Sequence, residues 1–444
     1  MASVCHADAS PSSPQAQTPA QAQTPAQAQA SSQAQASSQA QAPTQAQGSA
    51  SEGDTTWTLE RATQVAEQNS PEVQIARAAL AAARAYQAFG HIPRLGNPIL
   101  SLRAMFGKPD DPAATYSASL GLPLDVSTRR RAWKREASFV ERAAEAQYVV
   151  VQNEVRSAAR EAFVDTSLLS ELLRVAVGNS DLAHEFLQKV QARFAARAAT
   201  ALDVALSERD NAESLARVAN AQAALAESRG RLRQLLDLAP DEPIEAEPLA
   251  PPALPRELDL ARAIELAQTR RKEPAAFAAG AERFRASDTR LRREAVAPLV
   301  LGGEYEAQGN TNTQSTGGVH ANTELPFVFR NQGERAVARG QAELEDVRAG
   351  LAARQVAREA VMTLQELEAA LREFEALDGA ATPAADRALA MTMEMLEAGA
   401  VDYFRVLNAR ELAFELRGRR VEALRIAWRR RIGLERALGG LDIP

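Results

Sequence analysis

Side chains that bind metals or act as nucleophiles are sparse in this 444-residue chain. The histidines stand at positions 6, 91, 184 and 320, too scattered to suggest a metal cluster, and the single cysteine, Cys5, has no partner for a disulfide or a zinc site. The patterns GxxxxGK[ST], HExxH, GxSxG and GxGxxG, which mark phosphate, zinc, hydrolase and dinucleotide sites, do not occur. We therefore expect no catalytic residue, no cofactor and no metal site, and a protein that is not an enzyme.

The segment MTMEM, residues 391–395, is the remaining candidate for metal chemistry, because thioether sulfurs suit Cu(I). On a helix, Met391 and Met395 share a face while Met393 points elsewhere. Methionines in that arrangement also pack between helices, and we prefer this interpretation.

Two similar passages, LPLDVSTRRRAWKREAS (122–138) and LPFVFRNQGERAVARGQAE (325–343), show how the chain is organised. Each passes from apolar residues and Leu-Pro through an Arg-containing break into helix-forming residues. Three pairs of segments match in the same order at shifts of 201 to 203 residues: 59–72 with 260–273, Pro123 with Pro326, and 197–209 with 399–411. A period this long indicates two copies of a whole domain.

The duplication sets the predicted domain boundaries. The first repeat spans 57–237 and the second 259–440, and the Pro-rich segment 238–258 between them predicts an extended linker. Residues 9–56 are rich in Gln, Ala and Pro and lack large apolar side chains, which predicts a disordered tether.

The first eight residues are a candidate remnant of a targeting signal. VCHA before Asp8 resembles the end of a cleavage site, although no apolar core precedes it, and the start site is open to question. Cys5 is a candidate lipidation site, but Val4 stands where a lipoprotein signal places a small residue.

Each repeat contains a helical pattern of unusual length, at about 130–195 and 332–397. A helix over the first range would be roughly 100 Å long, so it needs neighbours along its length, as in coiled-coil packing. Gly178 and Pro383 fall at nearly equivalent places and predict a weak or kinked point midway along each helix. Shorter helices are predicted before these patterns (58–90, 259–294) and after them (202–237, 404–438).

Strand patterning separates the early helices from the long ones. Apolar and polar residues alternate in TYSASLGL (115–122) and GGVHANTEL (317–325), with partner strands predicted at 99–106 and 299–307. Strands of about 8–11 residues suit a tilted membrane-spanning strand. Apolar residues would then face lipid, and a watery lumen would receive the intervening polar ones: Ser117, Ser119, His320, Asn322 and Glu324.

A four-stranded sheet leaves two open edges, which a bilayer does not tolerate, so closure requires several chains and a multiple of four strands. The net charge of −6 gives no indication of nucleic-acid binding. From the helices alone, an elongated soluble coiled coil remains an open alternative.

The layout, the paired Leu-Pro passages and LEAGAVDYFRVLNAREL (396–412) resemble the TolC-like outer-membrane efflux family over about 57–440. LPFVFRNQG (325–333) and RLGNPILSL (94–102) are most similar to its CzcC-like heavy-metal branch. The resemblance implies a mainly α fold with a membrane β-barrel, in which a homotrimer forms a 12-stranded barrel in outer-membrane lipid and an α-helical tunnel in the periplasm.

The implied function is that of an outer-membrane exit duct in a tripartite efflux system of the RND type for heavy-metal cations. Its partners would be a periplasmic adaptor (membrane fusion) protein and an inner-membrane RND pump. A multidrug or type I secretion duct is the alternative within the class, and a structural periplasmic coiled-coil scaffold is the alternative outside it.

The resemblance also assigns residues. The turns at 196–201 and 398–403 would be the adaptor-docking tips, with these residues: Arg197, Ala198, Ala199, Gly399, Ala400 and Val401. The periplasmic entrance would contain Asp203, Arg405 and Asn408. Arg197 stands where the family has glycine, which leaves that turn's geometry open. Arg405 and Asn408 replace family aspartates, so we expect an Asp203–Arg405 pair instead of a purely acidic ring.

Overall fold

The computed structural model describes residues 56–91, 93–106, 114–255, 258–309 and 314–440. Cys5, the candidate targeting remnant 1–8 and the predicted tether up to residue 55 lie outside the described residues, as do residues 107–113 and 310–313 between the paired strands. In the described ranges, no helix combines the length and the apolar character needed to span a membrane.

The two halves of the chain repeat one order of elements. The first half contains, in order, β1 (Thr56–Trp57), α1 (Leu59–Asn69), α2 (Pro71–Ala85), a 3-10 turn (Tyr86–His91), β2 (Ile99–Met105), β3 (Ala114–Leu124), α3 (Arg129–Ala195) and α4 (Ala201–Leu236). The second contains β4 (Glu245–Ala246), α5 (Leu260–Arg270), α6 (Glu273–Glu294), β5 (Leu299–Gly309), β6 (Gln314–Asn322), α7 (Gln332–Ala376), a π turn (Leu377–Ala381), α8 (Thr382–Glu397) and α9 (Tyr403–Ala437).

The long helices differ at their midpoints. Helix α3 runs without interruption through Gly178, so the prediction of a weak point there is wrong. In the second half, α7 passes through the π turn into α8, whose second residue is Pro383. Proline has no N–H and forces the preceding hydrogen bonds to change, whereas a solvent-facing glycine only lowers helix propensity. Only proline therefore interrupts the α-helical pattern.

The four long strands form one antiparallel sheet in the order β2-β3-β5-β6, so the two hairpins join through β3 and β5. All four predicted strands are confirmed, with bounds shifted by up to three residues. Strands β2 and β6 are the open edges of the sheet.

The two Leu-Pro passages end their strands differently. Strand β3 continues past Pro123 to Leu124, whereas β6 ends at Asn322, four residues before Pro326, so neither proline is the point where pairing stops. Pro123 has no N–H to donate, and its carbonyl oxygen accepts a hydrogen bond from Gly96 N at 2.8 Å. A Cβ at residue 96 would lie 2.7 Å from Pro123 Cγ, so this approach requires glycine.

The main core lies where the early helices and the interdomain segment meet the long helices. Strand β1 pairs with β4 in parallel, and Trp57 is buried there together with Phe163 and Ile244. A second cluster places Ala263 and Leu266 of α5 against α7 and α9. In the described part of 238–258 the chain contains no helix, as the prolines predict.

Candidate functional site

The two helical turns far from the sheet have the same backbone geometry. Ala198 N donates to Arg193 O at 2.8 Å, and Ala400 N donates to Met395 O at 2.8 Å, which is the bonding of a Schellman C-cap. Gly399 has φ 73° and Arg197 has φ 60°. Arg197 therefore adopts the left-handed conformation that glycine adopts at this position in the family. The first turn keeps the geometry of the second although it lacks the glycine.

The helix starts after these turns are capped by side chains. Thr200 Oγ1 accepts from Asp203 N, and the Asp203 carboxylate accepts from Thr200 N at 2.8 Å, forming a capping box. Asp402 caps α9 by accepting from Arg405 N. Among the described ion pairs of the single chain none joins Asp203 to Arg405, and the capping box engages the Asp203 carboxylate locally; the expected pair stays a prediction for the assembled entrance.

A cavity of about 690 Å³ lies between the two turns. Of the predicted tip and entrance residues, it brings together Ala198, Ala199, Asp203 and Val401. Arg405 and Asn408 are exposed residues of α9 that do not line it, and Arg197, Gly399 and Ala400 lie on the turns outside it.

Sequence reasoning missed most of the cavity wall. An apolar floor is formed by Phe186, Val190, Leu396 and Tyr403, and charged groups at the rim include Lys189 and Glu397, whose Nζ and Oε1 lie 3.7 Å apart. Phe186 and Tyr403 contact each other with ring centroids 4.7 Å apart. Phe186 lies nine residues before the end of α3 and Tyr403 is the first residue of α9, so only the packing shows that they face one space.

A buried ion pair lies behind the cavity and joins the two repeats. Arg410 of α9 donates to Asp210 of α4, and both side chains are at least nine-tenths buried. Burial raises the pKa of the Asp210 carboxyl above its ordinary value, against the opposing effect of Arg410. Burial likewise raises the pKa of Tyr403. The residues are 200 positions apart, and their pairing was not predicted.

The sheet has one polar face and one apolar face. In an antiparallel pair, directly opposed residues share a face. Ser117 lies opposite Arg103 on β2 and Glu306 on β5, and Ser119 lies opposite Ser101 and Glu304. On β6, His320 lies opposite Gly302 and Asn322 opposite Val300, positions in the same alternation.

The opposite face is apolar. Leu120 lies opposite Leu100, Leu122 opposite Leu301, and Ala118 opposite both Leu102 and Tyr305. These side chains are mostly exposed in the single chain.

The register corrects the predicted set of lumen residues in two ways. Glu324 lies two residues beyond the end of β6, so it is not part of the polar face of the sheet. Arg103, Glu304 and Glu306 belong to that face and were missed, although the alternation of GGEYEA at 302–307 carried the signal.

The methionine segment has the predicted geometry on α8. Met391 and Met395 are exposed, and Met393 packs against two apolar clusters. Among the described residues, no group of three or more His, Cys, Asp or Glu side chains could hold a metal ion.

The arginine-rich start of α3 also forms a structured junction. Trp133 stacks on Phe89 with centroids 5.0 Å apart, and Arg290 lies over the Trp133 ring at 4.4 Å. Arg290 also pairs with the buried Glu136 at 2.5 Å, which ties α6 to α3 beside the sheet.

Comparison with known proteins finds the same fold in outer-membrane channels. No protein-family model matches the chain. The chain is 23% identical over 339 residues to the cobalt-zinc-cadmium resistance protein CzcC of Cupriavidus metallidurans, covering 73% of this chain and 77% of the relative.

Solved structures extend the likeness to the fold. The outer membrane protein VceC from Vibrio cholerae matches with a TM-score of 0.70 at 18% identity, over 86% of this chain and 96% of its own. CusC, described in terms of transmembrane channel formation, matches with a TM-score of 0.71 at 17% identity, over 86% and 92%. The resemblance expected from the sequence is confirmed by these findings: the fold is that of the TolC-like channels.

Proposed function

We propose that this chain, which has the fold of the TolC-like outer-membrane efflux proteins, is the outer-membrane exit duct of a tripartite efflux system that exports heavy-metal cations. The observation that carries the proposal is the four-stranded sheet with one apolar and one polar face, attached at one end to helices of about 100 Å. An apolar outside and a polar inside are what a sheet needs to line a pore through lipid.

The unsatisfied surfaces of the single chain support a homotrimer. Strands β2 and β6 are open edges, and three copies joined through them would give twelve strands. Helix α7 follows β6 and carries an exposed apolar stripe within about a quarter of its circumference, on the side opposite its buried residues. The stripe consists of Val337, Leu344, Val347, Leu351 and Met362. A neighbouring copy would cover this stripe.

The cavity between the helical turns supports docking of a periplasmic adaptor protein. Its apolar floor and mixed-charge rim suit the tip of a helical hairpin, whose apolar side chains would enter while its charged ones meet Lys189 and Glu397. The adaptor would in turn connect the duct to an inner-membrane RND pump. On this basis the protein is located in the outer membrane, with its helices in the periplasm.

The substrate class rests on the relatives. CzcC is named as a cobalt-zinc-cadmium resistance protein, and its similarity extends over nearly three quarters of this chain. A duct carries the substrate that its pump delivers. The identity of the exported metal is therefore tested by the metal tolerance of cells and not by metal binding to this chain.

A deletion strain tests the export function. Loss of the gene should lower tolerance of zinc, cobalt, cadmium or copper, and the wild-type gene should restore it. Cell fractionation should place the protein with outer-membrane markers. Unchanged metal tolerance would overturn the heavy-metal assignment, and a soluble monomer without β-sheet signal would overturn the duct and leave the periplasmic scaffold.

A substitution on the α7 stripe tests the trimer. Val347→Glu should shift the detergent-solubilised protein from trimer to monomer, because it places a charge in the proposed interface. Ala353→Glu is the matched control, since Ala353 is exposed on the same helix, about a third of a turn around from Val347 and outside the stripe. Light scattering that shows a trimer for both variants would place the interface elsewhere.

A further inference from the structure

The segment between β6 and α7 exposes four large apolar side chains in a row of five residues. Leu325 is 63% exposed, Phe327 73%, Val328 72% and Phe329 85%. Contiguous apolar exposure of this kind marks a contact surface. The segment is distinct from the α7 stripe and from the sheet.

Polar side chains at the end of the segment satisfy its backbone. Arg330 Nε donates to Pro326 O at 2.9 Å, and Gln332 Nε2 donates to Val328 O at 2.6 Å. Asn331 Nδ2 donates to Leu291 O at 2.9 Å and fastens the segment to the end of α6. Two carbonyls among the exposed apolar residues are therefore bonded internally, which lowers the cost of moving the segment out of water.

Basic residues surround the segment. Arg292 and Arg293 lie beside Leu291, and Arg330 closes the loop; all three are exposed. Within the described residues, none of them forms an ion pair with an acidic group. Arg131, Lys134 and Arg135 at the start of α3, at the same end of the sheet, are likewise exposed and form no ion pair among the described residues. The exposed acidic residues nearest in sequence are Glu324 and Glu334.

We propose that residues 325–330 are an interfacial anchor that inserts Phe327, Val328 and Phe329 into the periplasmic leaflet and binds anionic phospholipid headgroups through Arg292, Arg293 and Arg330. This inference rests on the proposed outer-membrane location. Apolar side chains below a row of cations match the acyl region and the phosphates of an anionic bilayer surface.

Continuity and charge favour lipid over a second copy of the chain as the occupant. The segment follows Val319 and Ala321, which lie on the apolar face of the sheet that the proposal turns toward lipid. A second copy would bring an identical set of unpaired arginines to the same level, and like charges repel.

A photo-crosslinker at Phe329 tests the occupant. The full-length protein carrying p-benzoylphenylalanine at 329 is assembled in bilayer discs made from equal parts of phosphatidylcholine and phosphatidylglycerol, and adducts are identified by mass spectrometry. We expect phospholipid adducts, with phosphatidylglycerol enriched about fivefold, the ratio expected for one basic side chain acting near an anionic surface.

The same crosslinker at Val319, on the apolar sheet face, tests the outer-membrane location separately from the anchor. Lipid adducts at 319 with protein adducts or none at 329 would overturn the anchor and leave the proposed duct intact. The absence of lipid adducts at both positions would overturn the outer-membrane location, and the anchor with it.

The contribution of the arginines is tested in the same discs. Arg292→Gln with Arg293→Gln should lower the phosphatidylglycerol enrichment at 329 toward parity. Arg354→Gln with Arg358→Gln is the matched control, because both residues are exposed on α7, pair with no described acid and lie about 30 Å or more along the helix from the junction. Equal enrichment in the two double variants would exclude headgroup recognition by this pair.

Discussion

At the first strand-to-helix junction, Trp133 stacks on Phe89 and meets Tyr86 in a tilted contact, and Arg290 covers its ring while pairing with buried Glu136. At the second, Phe327 and Phe329 are exposed. The two passages share a sequence pattern, yet the aromatic residue of the first, Trp133, packs against other side chains of the chain, whereas the aromatic residues of the second point outward. The two copies share the left-handed residue before the long helix, Thr128 and Asn331, but differ in where their strands end and in what their side chains contact.

Breaking the ion pair that joins the two repeats should have the largest effect on stability. Arg410→Ala leaves Asp210 buried without its partner, and we expect a loss of about 3–5 kcal/mol in the free energy of unfolding. Thermal unfolding followed by far-ultraviolet circular dichroism in detergent measures it. Arg405→Ala, on the exposed side of α9, should change stability by less than about 0.5 kcal/mol. Equal effects would show that the pair does not hold the repeats together.

The midpoints of the long helices can be made alike by substitution. Gly178→Pro should cost about 3 kcal/mol or more, because α3 has a regular hydrogen-bond ladder there that proline cannot complete. Gly178→Ala is the control and should stabilise by up to about 1 kcal/mol. The unfolding midpoints of the two variants measure these effects. An unchanged midpoint for Gly178→Pro would mean that the stability of the fold does not require a continuous α3.

The two junctions can be compared directly by removing one aromatic from each. Trp133→Ala should cost about 2–3 kcal/mol, less than a fully buried tryptophan because the ring is only partly buried, and it also removes the contact with Arg290. Phe329→Ala should cost less than about 0.5 kcal/mol in detergent, because the ring is 85% exposed. Similar losses in both variants would contradict the contrast between a packed and an exposed junction.

The tips give the smallest and sharpest test. Arg197→Gly should stabilise the fold by about 1 kcal/mol, because glycine adopts the left-handed conformation without the cost that a side chain incurs, and Gly399→Ala should destabilise by a similar amount. Arg197→Ala separates loss of the charge from gain of glycine and should leave stability nearly unchanged. If Arg197→Gly and Arg197→Ala behave alike, backbone strain is not the cause.

The local features of the fold followed from the sequence because they depend on neighbouring residues. Uninterrupted helix-forming residues predicted α3, and the alternation around Ser117 and His320 predicted the strands and their polar face. The equivalent positions of Gly178 and Pro383 led to a wrong prediction for α3. A shared position in the repeat does not determine whether the residue there can keep the helical hydrogen bonds. Glu324 was wrongly assigned to the polar face of the sheet, because the alternation of apolar and polar residues continues past Asn322, where strand pairing ends.

The sequence by itself determined the duplication, the two long helices, the four strands and the absence of the phosphate, zinc, hydrolase and dinucleotide motifs, because these features depend on residue types and spacing along the chain. Only the tertiary structure decided that Arg410 meets Asp210, that the hairpins join through β3 and β5, and that Phe186 and Tyr403 share one cavity. Those contacts depend on how distant segments approach and in which register, and no local pattern encodes that approach. The same reason explains why one Leu-Pro junction is packed and its twin is exposed.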